Sequence, residues 1–291
     1  MILGLDMIRI KNLLIIIKSN PLTLFATIIL IVMLVLALFP SQIAPMDPQK
    51  AHYDALRSPP TMQHLLGTDY AGRDVASRMI HGVRTTLIIA FSAVILSKTI
   101  GFFWGMTSGY FGGWFDLLTQ RIIEVMLSIP SLILALLLLA GLGSGRLTVI
   151  IAIAVGGIAG TVRIIRSSVL TIKNMAYVEA AKAMGTHPII IIFRHIAPQC
   201  FAPLLVVASV SLGGAIFAEA ALSFLGLGIT PNAPTWGSMM SVVAENYLRP
   251  LWWIAIFPGI ALTLTIMSFN LIGDELRDRL DPKLKGEVKD N

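Results

Sequence analysis

Catalysis, metal binding and nucleotide hydrolysis each demand particular residues at particular spacings, and this 291-residue chain offers few of them. His52, His64, His81, His187 and His195 follow neither an HExxH nor a zinc-finger spacing. The run Gly143-Ser144-Gly145-Arg146 has the glycines of a phosphate loop but lacks its terminal Lys-Ser/Thr, so it has no grip on a nucleoside triphosphate. Glu124 and Glu219 are expected in opposite halves of a bilayer, with no histidine inside an apolar span, which leaves an intramembrane hydrolase without a base. Cys200 is the single cysteine and forms no intrachain bridge. Three features remain that could do work. Lys98 and Glu219 are ionisable groups inside apolar runs, where a charge is costly and tends to face a partner or a cavity. The third is the stretch 177–199, YVEAAKAMGTHPIIIIFRHIAPQ, whose chemistry is mechanical.

The elements that must position these residues are set by composition. Hydrophobic residues make up 56% of the chain and charged residues only 13%, with a mean hydropathy of +0.81. A soluble body carries about 25% charged residues, so the solvent for this chain is a bilayer. Runs long enough to cross it occupy residues 22–39, 85–109, 122–142, 147–165, 200–220 and 251–272. The first is too long for a secretory signal and no small-residue cleavage site follows it, so it reads as a retained anchor. With the N-terminus inside, fourteen Lys and Arg fall on the cytoplasmic side, from Arg9, Lys11 and Lys18 to Lys283, Lys285 and Lys289, against seven outside. That bias places both termini in the cytoplasm.

The long segment 40–84, rich in proline and too polar for lipid, then lies outside, as does 227–250. Gly101, Gly105 and Gly109 recur every four residues on one face of the second span, and Gly156 and Gly160 repeat the spacing in the fourth, which permits close helix approach. Pro130 and Pro258 lie inside the third and sixth spans as kinks. In the 177–199 stretch, 178–184 suits a short helix that ends at Gly185. Thr186 is placed to cap a second helix carrying Pro188 in its first turn, and Pro198 is expected to redirect the chain into the fifth span. The result is a rigid elbow on the cytoplasmic face, able to pass on a push that a flexible loop would absorb.

Glu179-Ala180-Ala181, then Gly185, Ile196 and Pro198, resembles the EAA loop of ABC-importer permeases. His64-Leu65-Leu66-Gly67-Thr68-Asp69 with Gly72-Arg73-Asp74, Ser128-Ile129-Pro130-Ser131, Leu222-Ser223-Phe224-Leu225-Gly226 and Phe269-Asn270-Leu271-Ile272-Gly273-Asp274 resemble the dipeptide, oligopeptide and nickel branch, in particular its C-type second permease. The resemblance implies an all-α integral membrane protein with six transmembrane helices, a type I importer permease with a five-helix core plus an N-terminal extra helix. It divides the chain into an N-terminal segment 1–83, an ABC transmembrane core 84–274 and a cytoplasmic tail 275–291. It further implies a multi-pass subunit of the inner or plasma membrane, non-catalytic, with no cofactor of its own. ATP and Mg would be used by two ATPase subunits. The other partners implied are a homologous B-type permease, an extracytoplasmic substrate-binding protein and membrane lipid, with no nucleic acid.

By that resemblance Glu179, Ala180, Ala181 and Gly185 form the loop that couples to the ATPases, and the cargo is a di- or oligopeptide, with nickel or another small solute as the alternative. A stand-alone carrier or a membrane enzyme is the reading in which the elbow motif means nothing. For single residues two readings stand side by side. Glu179 either meets an ATPase or bonds within its own elbow; Glu219 and Lys98 either line the pathway or a subunit contact, or are satisfied locally. Arg121 and Glu124 suit a helix-surface pair, and Tyr247, Trp252 and Trp253 suit interfacial anchors.

Overall fold

The computed structural model describes residues 20–229, 233–245 and 250–280, with the side chain of Glu245 left aside. Among these the regular structure is helical throughout: α1 (Pro21–Leu38), α2 (Val75–Phe111), α3 (Gly113–Ser128), α4 (Ser131–Leu142), α5 (Arg146–Ile172), α6 (Ala176–Ala183), α7 (Pro188–Phe224), α8 (Trp236–Glu245) and α9 (Trp252–Leu280). Five of these, α1, α2, α5, α7 and α9, are long and apolar enough to cross a membrane, and the bent pair α3 and α4 makes a sixth when counted as one span. The basic residues expected at 9, 11, 18, 249, 283, 285 and 289, and Tyr247, lie outside the described residues.

The core of the bundle is the seam between α2 and α5, and glycine makes it. A Cβ on Gly101 would lie 2.6 Å from the Thr161 Cβ, one on Gly105 would lie 2.8 Å from the Val162 carbonyl oxygen, and one on Gly109 would lie 2.9 Å from the Val169 Cβ. The every-fourth-residue stripe therefore lets the two backbones close to a distance no side chain permits. In α5, Gly156 faces Ser131 of α4, while Gly160 faces open space and takes no part in such an approach. α1 is apolar all round and buries only Thr23, Ala26 and Met33, leaving the rest of its surface for lipid. Its inner face is tied to the end of α9 by the Thr23 hydroxyl, which donates to the Glu275 carboxylate at 3.0 Å.

Three expectations change. The second helix begins ten residues before the expected 85, because Asp74 caps it: one carboxylate oxygen accepts from the Ser77 amide and hydroxyl, both at 2.8 Å. Its first turns are polar and pack against the segment that precedes the helix, so hydropathy alone could not find them. The third span is broken, not kinked. Pro130 pushes Ile129 out of the helical region, to φ −97° and ψ 125°, and α3 and α4 meet at 91°. Pro198, by contrast, redirects nothing: α7 runs unbroken from Pro188 to Phe224. Just upstream, over Ile191–Ile196, the helix widens to i→i+5 bonding, and the Ala197 amide reaches the Ile192 carbonyl. The wider turn accommodates the proline ring and its missing N–H without ending the helix.

Candidate functional site: a helical elbow and a cavity between the spans

The elbow is built from α6 and the first turns of α7. Val178 and Ala181 are fully or nearly fully buried, and they join Ile165, Val169, Ile172, Ile191, Ile192 and Ile196 in one apolar cluster. Only one face of α6 is used in this way. Tyr177, Glu179, Ala180 and Met184 point outward, Met184 with 78% of its surface free, and the Glu179 carboxylate has no partner among the described residues. Glu179 also lies in the first turn of α6, where a negative charge suits the helix dipole. At the other end Gly185 adopts φ +76°, its amide bonds the Lys182 carbonyl at 2.9 Å, and the Thr186 amide bonds the Ala181 carbonyl at 3.1 Å. These two bonds are a Schellman closure, which fixes the angle at which the chain leaves α6. The cap of α7 is His187 in place of the expected Thr186; its Nδ1 accepts from the Ile189 amide at 3.4 Å, with Pro188 following.

A charged layer braces the elbow from above. Lys173 Nζ donates to the Gly109 carbonyl at 2.8 Å, a cation at the C-terminal end of α2, and Lys182 Nζ sits 5.8 Å from the centre of the Tyr110 ring. Arg166 binds both carboxylate oxygens of Asp116, at 2.6 and 2.5 Å, and the Ser108 hydroxyl donates to the same carboxylate. α2, α3 and α5 are thereby locked together next to α6. Sequence reasoning missed the Asp116–Arg166 fork because its partners belong to different helices and no local spacing joins them. Arg121 and Glu124 do pair, at 2.7 Å, on the exposed face of α3.

Between α2, α5 and α7 lies a cavity of about 180 Å³ lined by Ser97, Lys98, Ile153, Gly156, Gly157, Ser211 and Gly214 among others. Ser211 also lines a second cavity, of about 630 Å³, which runs along Pro203, Val206, Val207 and Val210 to Asp274 and Arg277. Ser211, on α7, is thus common to the walls of both cavities, one beside the middle of α2 and the other reaching the charged end of α9. Lys98 is buried, and its Nζ donates to the Thr161 hydroxyl at 2.9 Å. Glu219 lies elsewhere, near the other end of α7, fully buried: it accepts from the hydroxyls of Thr86 at 2.9 Å and Ser223 at 2.8 Å, and so ties α2 to α7. The structure does not bring Lys98 and Glu219 together, nor either of them to the elbow.

The segment before α2 is a compact knot. Asp69 accepts from the amides of Ala71 and Arg73 and from Arg73 Nε, His64 Nδ1 is 3.0 Å from Asp74, and the Thr68 carbonyl accepts from Trp253 Nε1 at 3.0 Å. Trp253 is therefore a buried pin between α9 and the knot, not the expected interfacial anchor, while Trp252 beside it is half exposed. The His64 to Asp74 signature is explained by this folding role.

Residues 101–286 match the family described as binding-protein-dependent transport system inner membrane component. The chain is 41% identical over 255 residues to the di/tripeptide transport system permease protein DppC of Pseudomonas aeruginosa (strain UCBPP-PA14), covering 86% of this chain and 84% of that one. It is 38% identical over 271 residues to the glutathione transport system permease protein GsiD of Escherichia coli O1:K1 / APEC, covering 92% and 89%. Among solved structures, an inward-facing conformation of the MetNI methionine ABC transporter aligns with a TM-score of 0.57 at 19% identity, covering 69% of this chain and 95% of that one. That last likeness speaks to the fold alone.

Proposed function

This chain belongs to the family of binding-protein-dependent transport system inner membrane components, and from that premise we propose that it is one permease half of an ATP-driven importer of short peptides. The relatives named for di/tripeptide and glutathione transport support peptides as the cargo class. The observation that carries the coupling role is the elbow. A short helix with one face locked into the bundle, a fixed exit angle and an outward face of Glu179, Ala180 and Met184 is built to receive a push from a soluble subunit.

The mechanism follows from connectivity. Two ATPase subunits, which bind and hydrolyse MgATP, close on each other and displace α6. Because α6 shares its apolar cluster with the start of α7, and α7 is one helix from Pro188 to Phe224, the displacement reaches Ser211 and Gly214 at the cavity wall without crossing a loop. A homologous second permease completes the pathway, a binding protein delivers cargo to the outer segments 40–74 and 227–250, and both termini lie in the cytoplasm. This chain contributes no catalytic group and no cofactor.

The test is affinity purification of the tagged chain from mild detergent, alone and with Glu179→Ala or Gly185→Asp. The expected result is co-purification of a second permease and ATPases, with loss of the ATPases alone in the variants. A chain that purifies without any nucleotide-binding subunit refutes the importer reading.

A further inference from the structure

Lys98 stands in the middle third of the 37-residue helix α2, where a charge has the least access to water. An ammonium has three protons to donate, and a single bond is made here, to the Thr161 hydroxyl. Thr161 passes its own proton on to the Gly157 carbonyl at 2.9 Å, so it serves Lys98 as a neutral acceptor only. None of the ion pairs among the described residues includes Lys98. Next to it, Ser97 is 3% exposed and its hydroxyl oxygen is buried with no hydrogen-bond partner. Both side chains line the 180 Å³ cavity, whose wall at Gly156, Gly157 and Gly214 carries no side chain, and Gly214 is exposed.

A buried cation without a counter-charge and a buried hydroxyl without a partner are each costly, and here they share one cavity. A carboxylate in that cavity satisfies both: it accepts from the free ammonium protons and, once the Ser97 side chain turns from Gly157 toward the cavity, from its hydroxyl. The volume admits a carboxylate with a few waters, each taking about 30 Å³. The glycine wall adds no side chain to obstruct the approach from the exposed Gly214, and Ser211 is shared with the wall of the larger cavity, which reaches Asp274 and Arg277. We propose that Lys98 and Ser97 form a station for the carboxylate of the cargo on its way through the membrane, a deepening that rests on the peptide-import reading above. A free C-terminal carboxylate is the group it takes, so an uncharged end crosses without its help.

The test uses the complete assembly, with partner permease and ATPases, in lipid nanodiscs. In a Cys200→Ser background, Ser97→Cys places a thiol at the cavity wall. Its labelling rate is compared for a sulfonate-bearing and a trimethylammonium-bearing methanethiosulfonate. The expected result is a preference for the anionic reagent of roughly tenfold, the scale of one unit charge at several ångströms in a partly wet cavity. Lys98→Arg keeps that preference and Lys98→Met abolishes it. Alanyl-alanine slows the labelling when Lys98 is present, and alanyl-alanine amide does not. Equal rates for the two reagents, as when an acidic side chain of the partner permease neutralises Lys98, overturn the station; so does a thiol that neither reagent reaches, or equal protection by the acid and the amide. Uptake of alanyl-alanine by the unmodified assembly is measured in parallel. Uptake without charge preference removes the station and leaves the importer standing, whereas charge preference and acid-specific protection without uptake remove the peptide reading and leave an anion station.

Discussion

Gly185 allows the elbow to be tested one atom at a time. Its φ of +76° is a conformation that L residues adopt at a cost of about 1–2 kcal/mol, least for asparagine and most for β-branched residues. A Cβ there would meet nothing within 4 Å in this chain, so the whole cost of a substitution is backbone strain. Opposing that strain are the two closing bonds, Gly185 N–H to Lys182 and Thr186 N–H to Ala181, at about 1 kcal/mol each. Strain and closure nearly cancel for valine. In Gly185→Val the closed and open elbows become comparably populated, while Gly185→Asn stays mostly closed and Gly185→Ala falls between. Measured in proteoliposomes as cargo imported per ATP hydrolysed, the order is wild type, then asparagine, alanine and valine, with valine several-fold down. Because the closure is local, thermal unfolding of the bundle stays unchanged across the series. If asparagine proves as damaging as valine, the left-handed turn is not what matters. The bare Cα would then be there to fit the ATPase surface, and the closure argument fails.

Three further outcomes are expected. Gly101→Val forces a side chain against Thr161 at the α2–α5 seam and destabilises the bundle by about 1–3 kcal/mol, read as a lower melting temperature in detergent, whereas Gly160→Ala, inside α5 and facing open space, does not lower it and gains up to about 1 kcal/mol of helix propensity. Asp116→Asn weakens the partly exposed fork with Arg166 by about 1–2 kcal/mol, and the exchange Asp116→Arg with Arg166→Asp recovers part of that melting temperature. Trp253→Phe keeps most of the packing but leaves the Thr68 carbonyl without its donor, a loss of about 1–3 kcal/mol that appears as faster proteolysis within residues 44–74 at unchanged yield.

What could be read in the sequence was whatever the bilayer or the local backbone imposes. The runs around 22–39, 147–165 and 251–272 are apolar because lipid demands it, and each lies within a helix that spans it apart from its end residues. The elbow was legible for a different reason: Gly185 and Pro188 punctuate the chain through their own dihedral limits. The glycine stripe of α2 was legible as a seam, but its counterpart in α5 was legible only in half, since spacing cannot say that Gly160 looks into space while Gly156 meets Ser131. Hydropathy missed the first ten residues of α2 because Ser77, Arg78 and His81 are paired and covered by the knot that precedes the helix. Prolines were the hardest residues to read. Pro130 breaks a span and Pro198 does not, and the difference lies in whether the turn before it can widen. Tertiary pairs such as Asp116 with Arg166, or Trp253 with Thr68, left no local trace at all.

The placement of α7 constrains how coupling and passage are related. Its first turns are buried beside Val178 and Ala181, and Ser211 and Gly214 lie about 20 residues further on, roughly 30 Å at 1.5 Å per residue. A rod of that length tilted by about 10° about its elbow end moves its cavity face by about 5 Å, enough to open or close a space of 180 Å³. The proposed coupling role requires stiffness over this distance, and two places reduce it: the widened turn at Ile191–Ile196 and Pro203 within the helix. The widened turn lies inside the apolar cluster, where Ile191, Ile192 and Ile196 are held against α5 and α6, so it is splinted by its neighbours. Pro203 lies beyond that splint and lines the larger cavity. A helix clamped at its base and softened just above the clamp bends at the proline first, so the swinging arm is the roughly 16 Å from Pro203 to Gly214, and a 10° bend there moves the cavity face by about 3 Å in place of the 5 Å of a rigid tilt. In the coupling role proposed for the elbow, the stroke would enter through the clamped turn and become a swing at Pro203, with Ser211 and the wall of the Lys98 cavity on the moving side.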